Sequence, residues 1–463
     1  MASLQSLALS LQPRRGCVPP QWCLASLLTQ LSALGRLHSL TFSSIPVATG
    51  GTQLPQSASE GSLSDVGSTA SSEACTEGSA AVPPSTAEAV GAALAALPAL
   101  QHIEVHDAGS HGCGGAGVAA WASALAGPRR LRSVAVTQTA VAARSYATLG
   151  AALATAPQLT RLQLRACGLS NGTAAALAAE LPRLAHLRHL CLSGNLHRVL
   201  CTAGGAAPPC RAAALAAGLP ALTQLHSLDI SSCNLSAAQF RALAPGLHAL
   251  PALEHLDLRR NHIHIPGDLE HWEDVAQLTT LSALLLSDNT IGALALGRHL
   301  ARLTRLRRLD CARCGLGVEL HRMRSFDHLA GLTGLQHVDL SANGAWGAYA
   351  MRKLAPAIAH FVGLTALKLA GNDAGPGGGA ALAPALRALT NLQLLDLSCN
   401  TLSSDGARAL ATALPSLCQL RELDLSDNGL RRCTPAVLMC ELYHLPQLTR
   451  LALDGQHGPW RGS

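Results

Sequence analysis

The chain has 463 residues, of which 48% are hydrophobic and 3% aromatic, so a sizeable core can form and must be largely aliphatic. The formal net charge of +6 is spread along the chain, without a block of five like charges or aromatic residues interleaved with arginine, which argues against nucleic acid as a partner. No run approaches the ~20 apolar residues of a membrane helix, and an odd number of cysteines, 15, without a convincing secretory signal favours a reducing, cytoplasmic setting.

The N-terminal part of the chain carries a leucine pattern twice and then loses it. Residues 1–45 contain the two copies, at 4–9 and 37–42, with a helix predicted between them at 20–34. Residues 46–84 are rich in serine and glycine and poor in large apolar side chains, so they cannot bury enough surface to offset their ordering entropy. We therefore expect a disordered insertion, followed by a helix at 86–97 that opens with a capping box between Ser85 and Glu88.

Residues 85–457 repeat one pattern, L-x-x-L-x-L-x-x-N-x-L, almost without a break, and residues 458–463 form a tail. The copies that begin at Leu392 and Leu420 are 28 residues apart, and most other intervals are 28 or 29. A longer interval, between Leu187 and Leu225, contains a Gly/Ala/Pro loop at 196–210. A fixed period of this length predicts one continuous stack of similar units.

Each repeat is predicted to consist of a strand, a turn, a helix and a second turn. Positions four and six of the pattern alternate as in a short strand. Further along the repeat, Leu410, Leu414 and Leu417 have the i, i+4, i+7 spacing of one helix face, as have the leucines at 177, 181 and 184. One unit cannot hide its own leucines, but stacking buries them, at roughly 1.5–3 kcal/mol for each fully buried side chain.

These residues resemble the leucine-rich repeat family, and within it the ribonuclease-inhibitor-like subtype with repeats of 28–29 residues. The resemblance implies an α/β solenoid, a horseshoe with a parallel β-sheet on its concave face and α-helices on its convex face. It also implies a non-catalytic module that binds proteins on the concave face. The asparagine position is lost at Ala108, Thr139 and Gln456, and is filled by cysteine at Cys167, Cys233 and Cys314, as is common in this subtype. It is filled as expected at Asn195, Asn261, Asn289, Asn343, Asn372, Asn400 and Asn428.

Aspartate recurs at the central x of L-x-L, which should align these side chains as a column on the concave face. Aspartate is common at this position in the family, so a structural habit is one explanation. The other is an acidic strip that attracts a basic protein surface and speeds association. The candidates are Asp229, Asp257, Asp310, Asp339, Asp396 and Asp424, with Leu285 and Lys368 interrupting, bordered at the third position of the pattern by Arg161, His189, His255, Arg308, His337 and Glu422.

Two glycine-rich motifs are predicted to be loops between repeat elements. Residues 112–117 fit the G-x-G-x-x-G of dinucleotide sites, but six residues separate the motif from the preceding strand where a tight turn is required. The next strand is followed by Thr137 and Gln138, which provide no acid for a ribose. Residues 375–379 (GPGGG) are predicted to be a loop of the same sort.

Two other motifs have a metal or redox interpretation, and a structural one is favoured for each. Cys311 and Cys314 have C-x-x-C spacing, but in register Cys311 replaces a core leucine and Cys314 occupies the asparagine position. The densest polar cluster combines imidazoles and carboxylates in an exposed loop and helix start, where such groups are usually solvated. Its members are His262, His264, Asp268, Glu270, His271, Glu273 and Asp274.

The sequence thus predicts a non-catalytic adaptor with no cofactor, because no Ser-His-Asp set, HExxH motif or paired-carboxylate cleft can be placed. One alternative is a GTPase-activating protein similar to the Ran-activating leucine-rich repeat family, against which stands the lack of a long acidic segment after the repeats. Others are the sensor region of an immune-type receptor and a cytoskeletal or axonemal component located in the cilium. Both ends fall inside the pattern, so association of an uncapped end with a partner or second copy is a further expectation.

Overall fold

The computed structural model describes residues 5–10, 37–43, 99–106, 123–138, 143–195, 211–263, 270–291, 299–317, 326–344, 346–430 and 440–456, and the single positions 94, 97 and 141. The predictions for 20–34, 46–84, 112–117, 196–210 and 458–463 lie outside these residues. The chain divides into two units, Met1–Leu159 and Thr160–Ser463. No helix among the described residues has the length and apolarity needed to cross a membrane.

Among its described residues, the first unit contains four parallel strands that pair in chain order. They are β1 (Ser6–Ser10), β2 (Ser39–Ser43), β3 (His102–His106) and β4 (Ser133–Thr137). Leu40, Ile103 and Val134 align in this register and are buried, as are Val105 and Val136 two residues later in β3 and β4. A 3₁₀ turn at Ser123–Ala126 and α1 (Ala143–Ala154) pack together beside them.

The second unit contains eleven short strands among its described residues, and every neighbouring pair is parallel and in chain order. The central residue of each three-residue strand is leucine or valine, and this side chain is buried in β6 to β14. The strands are β5 (Arg161–Arg165), β6 (His189–Cys191), β7 (Ser227–Asp229), β8 (His255–Asp257), β9 (Ala283–Leu285), β10 (Arg308–Asp310), β11 (His337–Asp339), β12 (Ala366–Lys368), β13 (Leu394–Asp396), β14 (Glu422–Asp424) and β15 (Arg450–Ala452).

Helices of the second unit pack against the helix of the next repeat. Ser170 and Ser236 form capping boxes at two of their N-termini, with the N3 backbone donating to the serine hydroxyl. The helices are α2 (Asn171–Glu180), α3 (Arg211–Gly218), α4 (Ala237–His248), α5 (Glu270–Ala276), α6 (Gly347–Ala359), α7 (Gly375–Leu386) and α8 (Ser403–Ala411).

The predicted leucine trios do not each lie on one α-helix. After α2 and α8 the chain tightens into 3₁₀ turns, Leu181–Leu184 and Leu414–Ser416, which contain the later leucines except Leu417, the residue that follows the second turn. Pro182 and Pro415 lie in these turns and cannot donate the i→i−4 hydrogen bond that would extend an α-helix. The leucines are buried nonetheless, so the spacing identified the core but overstated the length of the helices.

The prediction of a loop at residues 375–379 is wrong, because these residues form the first turns of α7. Pro376 occupies the first turn, where an α-helix needs no N–H. A Cβ atom on Gly379 would lie 2.8 Å from the carbonyl oxygen of Gly406 in α8. Glycine is needed here because the two helix backbones approach each other too closely for a side chain.

A ladder of buried asparagine side chains joins successive repeats. Asn400 accepts hydrogen bonds at Oδ1 from the amides of Asn372 and Ala374, at 3.2 and 3.3 Å. Its Nδ2 donates to the carbonyls of Leu369 and Leu397, at 2.8 and 3.0 Å. Each asparagine therefore satisfies the polar backbone of two turns that are buried away from water.

Cysteine and glutamine continue this ladder where asparagine is absent. The thiol of Cys314 lies 3.3 Å from the carbonyl of Leu286, to which it donates. The sequence predicts that the asparagine position is lost at Gln456. The residue is indeed not asparagine, but its side chain forms the same kinds of hydrogen bond. Gln456 Oε1 accepts from the amides of Asn428 and Leu430, at 3.2 and 3.0 Å, and its Nε2 donates to Leu425.

Candidate functional site: the strand face of the second unit

The register of the second unit arranges polar side chains in columns. Side chains alternate along a strand, so the residues on either side of the buried central residue project from the opposite face, here called the strand face. The last residues of β7 to β14 align as one column: Asp229, Asp257, Leu285, Asp310, Asp339, Lys368, Asp396 and Asp424. The first residues of β5 to β14 align as another: Arg161, His189, Ser227, His255, Ala283, Arg308, His337, Ala366, Leu394 and Glu422.

The six aspartates of the first column, here called the aspartate column, share one hydrogen bond. In each, Oδ1 accepts from the backbone amide two residues later, at distances from 2.9 Å in Asp424 to 3.3 Å in Asp310. A carboxylate is suited to this turn because it accepts the amide that the end of the strand leaves without a partner. This hydrogen bond gives a structural reason for the recurrence of aspartate at the end of these strands.

The aspartates differ in how much negative charge they offer to solvent. Asp257 forms an ion pair with Arg259, at 2.6 Å between Oδ2 and Nη2, and this hydrogen bond raises the pKa of Arg259. Asp310 is 8% exposed and accepts from the hydroxyl of Ser287. Asp339, Asp396 and Asp424 are half-buried and form no ion pair within the part of the chain that the structure describes. Asp229 also lacks an ion pair there, but both of its oxygens accept hydrogen bonds, Oδ1 from Ser231 and Oδ2 from the Cys191 thiol at 3.0 Å. Asp339, Asp396 and Asp424 thus keep one carboxylate oxygen without a hydrogen bond to a described residue.

The column of first residues is predominantly basic over β5 to β11. Burial lowers the pKa of His189, and so do the positive charges of Arg161, His226, His255 and Arg188. Burial and the charge of Arg308 likewise lower the pKa of His337. At both His189 and His337 the charge of a neighbouring arginine contributes to the lower pKa, so basic groups of the column act on one another.

Comparisons with known proteins agree with this arrangement. A family model described as "Leucine Rich repeat" matches residues 388–411. The structure adds one parallel strand per repeat and a ladder of buried asparagines, which extend well beyond the matched residues. The chain is a leucine-rich repeat solenoid of the α/β class. No curated protein matches it significantly.

Two solved structures resemble the solenoid loosely. An internalin from Listeria monocytogenes is 16% identical over 78% of this chain and 76% of its own, with a TM-score of 0.38. A TLR13–ssRNA13 complex is 16% identical over 93% of this chain and 59% of its own, with a TM-score of 0.40. At these TM-scores the fold rests on the repeat, the register and the ladder of the solenoid itself.

A shallow depression lies on the strand face between β10 and β14. It has a volume of about 470 Å³ and is lined by both signs of charge, including Arg308, Asp339, Lys368 and Glu422. The charged groups come from neighbouring turns of the solenoid and project side by side. Such a surface suits contact with another macromolecule better than it suits the convergence of groups on one reacting atom.

The structure supports the structural interpretation of the cysteine pair. Cys311 and Cys314 are both buried thiols, and burial, followed by the neighbouring Cys314, raises the pKa of Cys311 well above its usual value. A thiol of this kind is a poor nucleophile and a poor metal ligand. Of the predicted histidine and carboxylate cluster, His264 and Asp268 lie outside the described residues. Within the described ranges, no three His, Cys, Asp or Glu side chains are placed to hold a metal ion.

Sequence reasoning missed two residues that belong to the strand face. Arg188 and His226 lie one residue before β6 and β7, at the second position of the pattern. The amide of His226 donates to the carbonyl of Arg188, at 2.9 Å, which aligns the two residues on neighbouring turns. The 28-residue pattern could have identified this third column, because the same register applies to every position of the repeat.

Proposed function

We propose that this solenoid is a non-catalytic scaffold that binds a partner protein through the strand face of its second unit. Leucine-rich repeat domains generally mediate protein–protein interaction, and the exposed columns are the part of this chain suited to it. The observation that carries the proposal is the set of three aspartates, Asp339, Asp396 and Asp424, that are held in place but lack an ion pair among the described residues.

Pre-organisation makes these three carboxylates effective in recognition. Each is fixed by the amide two residues later, so a partner does not have to order it on binding. The second carboxylate oxygen forms no hydrogen bond with a described residue and can accept one from a lysine or arginine of a partner. A basic protein surface is the complement, and opposite charge would also raise the rate of association.

The finer subtype and the cellular address belong to the same proposal. Strand pairs offset by 28 or 29 residues, as between β13 and β14 or β10 and β11, support the ribonuclease-inhibitor-like subtype. Cys233 and Cys314 in asparagine positions support it as well. A cytoplasmic location, with the cytoskeleton or axoneme as the alternative, remains a prediction from the sequence.

The test separates the charge of the aspartates from their role in the turn. Asp339, Asp396 and Asp424 are each changed to Asn, which keeps the Oδ1 acceptor and removes three negative charges. The matched control changes Asp373 and Asp405 to Asn and Glu273 to Gln, which are exposed; Asp405 and Glu273 lie in helices and Asp373 follows the asparagine position. Proximity labelling in cells and the binding of an octalysine peptide are then compared between the two variants.

We expect the strand-face variant to lose labelled partners and octalysine binding, and the control to retain both. Equal loss in both variants, or retention in both, would show that the aspartates are not a docking surface. Two further assays test alternative functions. Stimulation of GTP hydrolysis by a panel of small GTPases would replace it with the GTPase-activating alternative, and tight binding of single-stranded RNA would contradict a protein-only partner.

A further inference from the structure

Five basic side chains gather on the strand face of β5 to β8, and they are here called the basic patch: Arg161, Arg188, His189, His226 and His255. Arg161 and His189 are directly opposed in the register of β5 and β6. The backbone amide of Arg188 donates to Thr160, that of His226 to Arg188, and that of Glu254 to His226, at 2.8, 2.9 and 2.9 Å. These bonds place the five residues on four consecutive turns.

The arginines of the patch, unlike Arg259 and Arg313, are not neutralised by a neighbouring acid. Arg259 forms an ion pair with Asp257, and Arg313 is hydrogen-bonded to Asp288, at 2.6 and 2.9 Å. Arg161 and Arg188 are exposed and form no salt bridge to any described residue. The acids on the same turns are Glu254, one residue before β8, and Asp229 and Asp257 at the ends of β7 and β8. Asp257 is paired with Arg259, and both oxygens of Asp229 accept hydrogen bonds.

The members of the patch lie close enough to act on one another electrostatically. His189 is the most central member, and its pKa is lowered by burial and then by Arg161, His226, His255 and Arg188. Four of the five causes are therefore the other members of the patch. A surface that keeps such charges adjacent and unpaired gains from a bound anion, which removes the repulsion as well as adding attraction.

We propose that the basic patch binds an acidic segment of a partner polypeptide. Four neighbouring strands span about 14 Å at about 4.8 Å per strand, which matches roughly four residues of an extended chain. The forked guanidiniums of Arg161 and Arg188 suit carboxylates, which they can bind through two parallel hydrogen bonds. Nucleic acid fits less well, because the described residues of β5 to β8 include no Phe, Tyr or Trp to form a stacking platform for bases.

This inference rests on the proposed role of the strand face in docking and specifies the partner further. The basic patch lies at β5 to β8, whereas Asp339, Asp396 and Asp424 lie at β11 to β14. A partner that satisfies both must present an acidic segment to one end and a basic segment to the other. The solenoid would then bind it in one orientation, since the reversed arrangement places like charges together.

The test uses a fluorescein-labelled hexaglutamate peptide and fluorescence anisotropy at low ionic strength. The double variant Arg161→Gln and Arg188→Gln should weaken binding by about five- to tenfold. The matched control, Arg352→Gln and Arg387→Gln, removes the same charge from exposed positions of the helix layer and should change binding less than about twofold. Circular dichroism establishes that both variants are folded.

Each other outcome overturns the inference in a distinguishable way. Absence of hexaglutamate binding by the unmodified chain, or equal weakening in the control, would show that the patch is not a site. Tighter binding of an oligouridylate that depends on Arg161 and Arg188 would replace the acidic polypeptide with RNA. Changing Asp339, Asp396 and Asp424 to Asn should leave hexaglutamate binding intact, so loss of octalysine binding alone tests the proposed function independently.

Discussion

The side chain of Gln456 accepts a hydrogen bond from the backbone amide of Asn428, at 3.2 Å, and so takes over the role that asparagine has in the preceding repeats. Asn428 itself donates to the carbonyl of Leu397, 31 residues earlier, at 2.9 Å. Each rung of the ladder thus ties a turn to the turn before it. Each repeat contacts mainly its two neighbours, so a central rung is needed to couple the repeats on its two sides. The stability of the solenoid should therefore depend most on the rungs in the middle.

Removing one central rung should be costly. Asn400→Ala deletes the acceptor for the amides of Asn372 and Ala374 and the donor to two carbonyls, all of them buried. Leaving these groups without partners should lower the free energy of unfolding by about 3–5 kcal/mol. Urea unfolding followed by circular dichroism measures the change. Asn391→Ala, which removes one exposed hydrogen bond to Val362, should cost less than about 0.5 kcal/mol. A small loss at Asn400 would mean that water replaces the rung.

The turn bonds of the aspartate column give a second prediction. Asp396 Oδ1 accepts from the amide and the hydroxyl of Ser398, at 3.1 and 2.7 Å. Asp396→Ala should therefore reduce the free energy of unfolding by about 1 kcal/mol, whereas Asp396→Asn, which keeps an oxygen acceptor, should stay within about 0.5 kcal/mol. Thermal unfolding of the two variants side by side tests this. If Asn is as costly as Ala, the charge and not the acceptor stabilises the turn.

The repeat period determined most of what the sequence could predict. One buried leucine or valine per strand fixes the register, and the register fixes which side chains share the strand face, so the aspartate column follows from spacing alone. The asparagine ladder follows for the same reason. The α/β solenoid could therefore be predicted without information about individual contacts, and the structure confirms it.

The remaining features depend on contacts between residues that the spacing does not connect. Ser287 donates to Asp310, 23 residues later, and this bond together with burial separates Asp310 from the other aspartates. The side chain of Arg259 folds back onto Asp257, which depends on its rotamer. Glycine usually marks a loop, so the sequence predicts one at 375–379, and only the packing of Gly379 against Gly406 of α8 shows why glycine is needed within the helix.

That close approach between helices leads to the third prediction. A Cβ on Gly379 would meet the carbonyl oxygen and Cα of Gly406, at 2.8 and 2.9 Å, and the backbone cannot yield without separating α7 from α8. Gly379→Ala should lower the free energy of unfolding by about 1–3 kcal/mol. Gly172→Ala in α2 is the control, because nothing lies within 4 Å of its Cβ position and the φ angle is ordinary. It should raise stability by about 0.5–1 kcal/mol, and a stabilising Gly379→Ala would contradict the packing argument.

The fourth prediction concerns the residue before the asparagine position, whose backbone is in the left-handed region. Ala342 has a φ of 55° and Gly371 fills the same position of the next repeat with a φ of 65°. Alanine in this region is strained, so Ala342→Gly should increase the free energy of unfolding by about 0.5–1 kcal/mol. Ala380→Gly, at an exposed position inside α7, should have the opposite sign and a similar size. Differential scanning calorimetry of both variants measures the contrast, and equal signs would rule out backbone strain at Ala342.

The lowered pKa of His189 gives the fifth prediction, on pH. Its folded-state pKa lies below the ordinary value of 6.5, so the unfolded chain binds the proton more tightly and stability should fall as the pH drops through 6.5. Stability should stop falling from this cause once the pH is below the folded-state pKa. Arg161→Gln should raise the pKa of His189 part of the way, because burial, the larger cause, remains.

Nuclear magnetic resonance titration of the His189 ring measures this shift directly, with Arg352→Gln as the control on the helix layer. Urea unfolding between about pH 7.5 and 5.5 should show a shallower loss of stability in Arg161→Gln than in the unmodified chain. His337, whose pKa is lowered by burial and by Arg308, should respond to Arg308→Gln and not to Arg161→Gln. If both arginine changes moved both histidines equally, the net charge of the chain, and not the neighbours on the strand face, would set these pKa values.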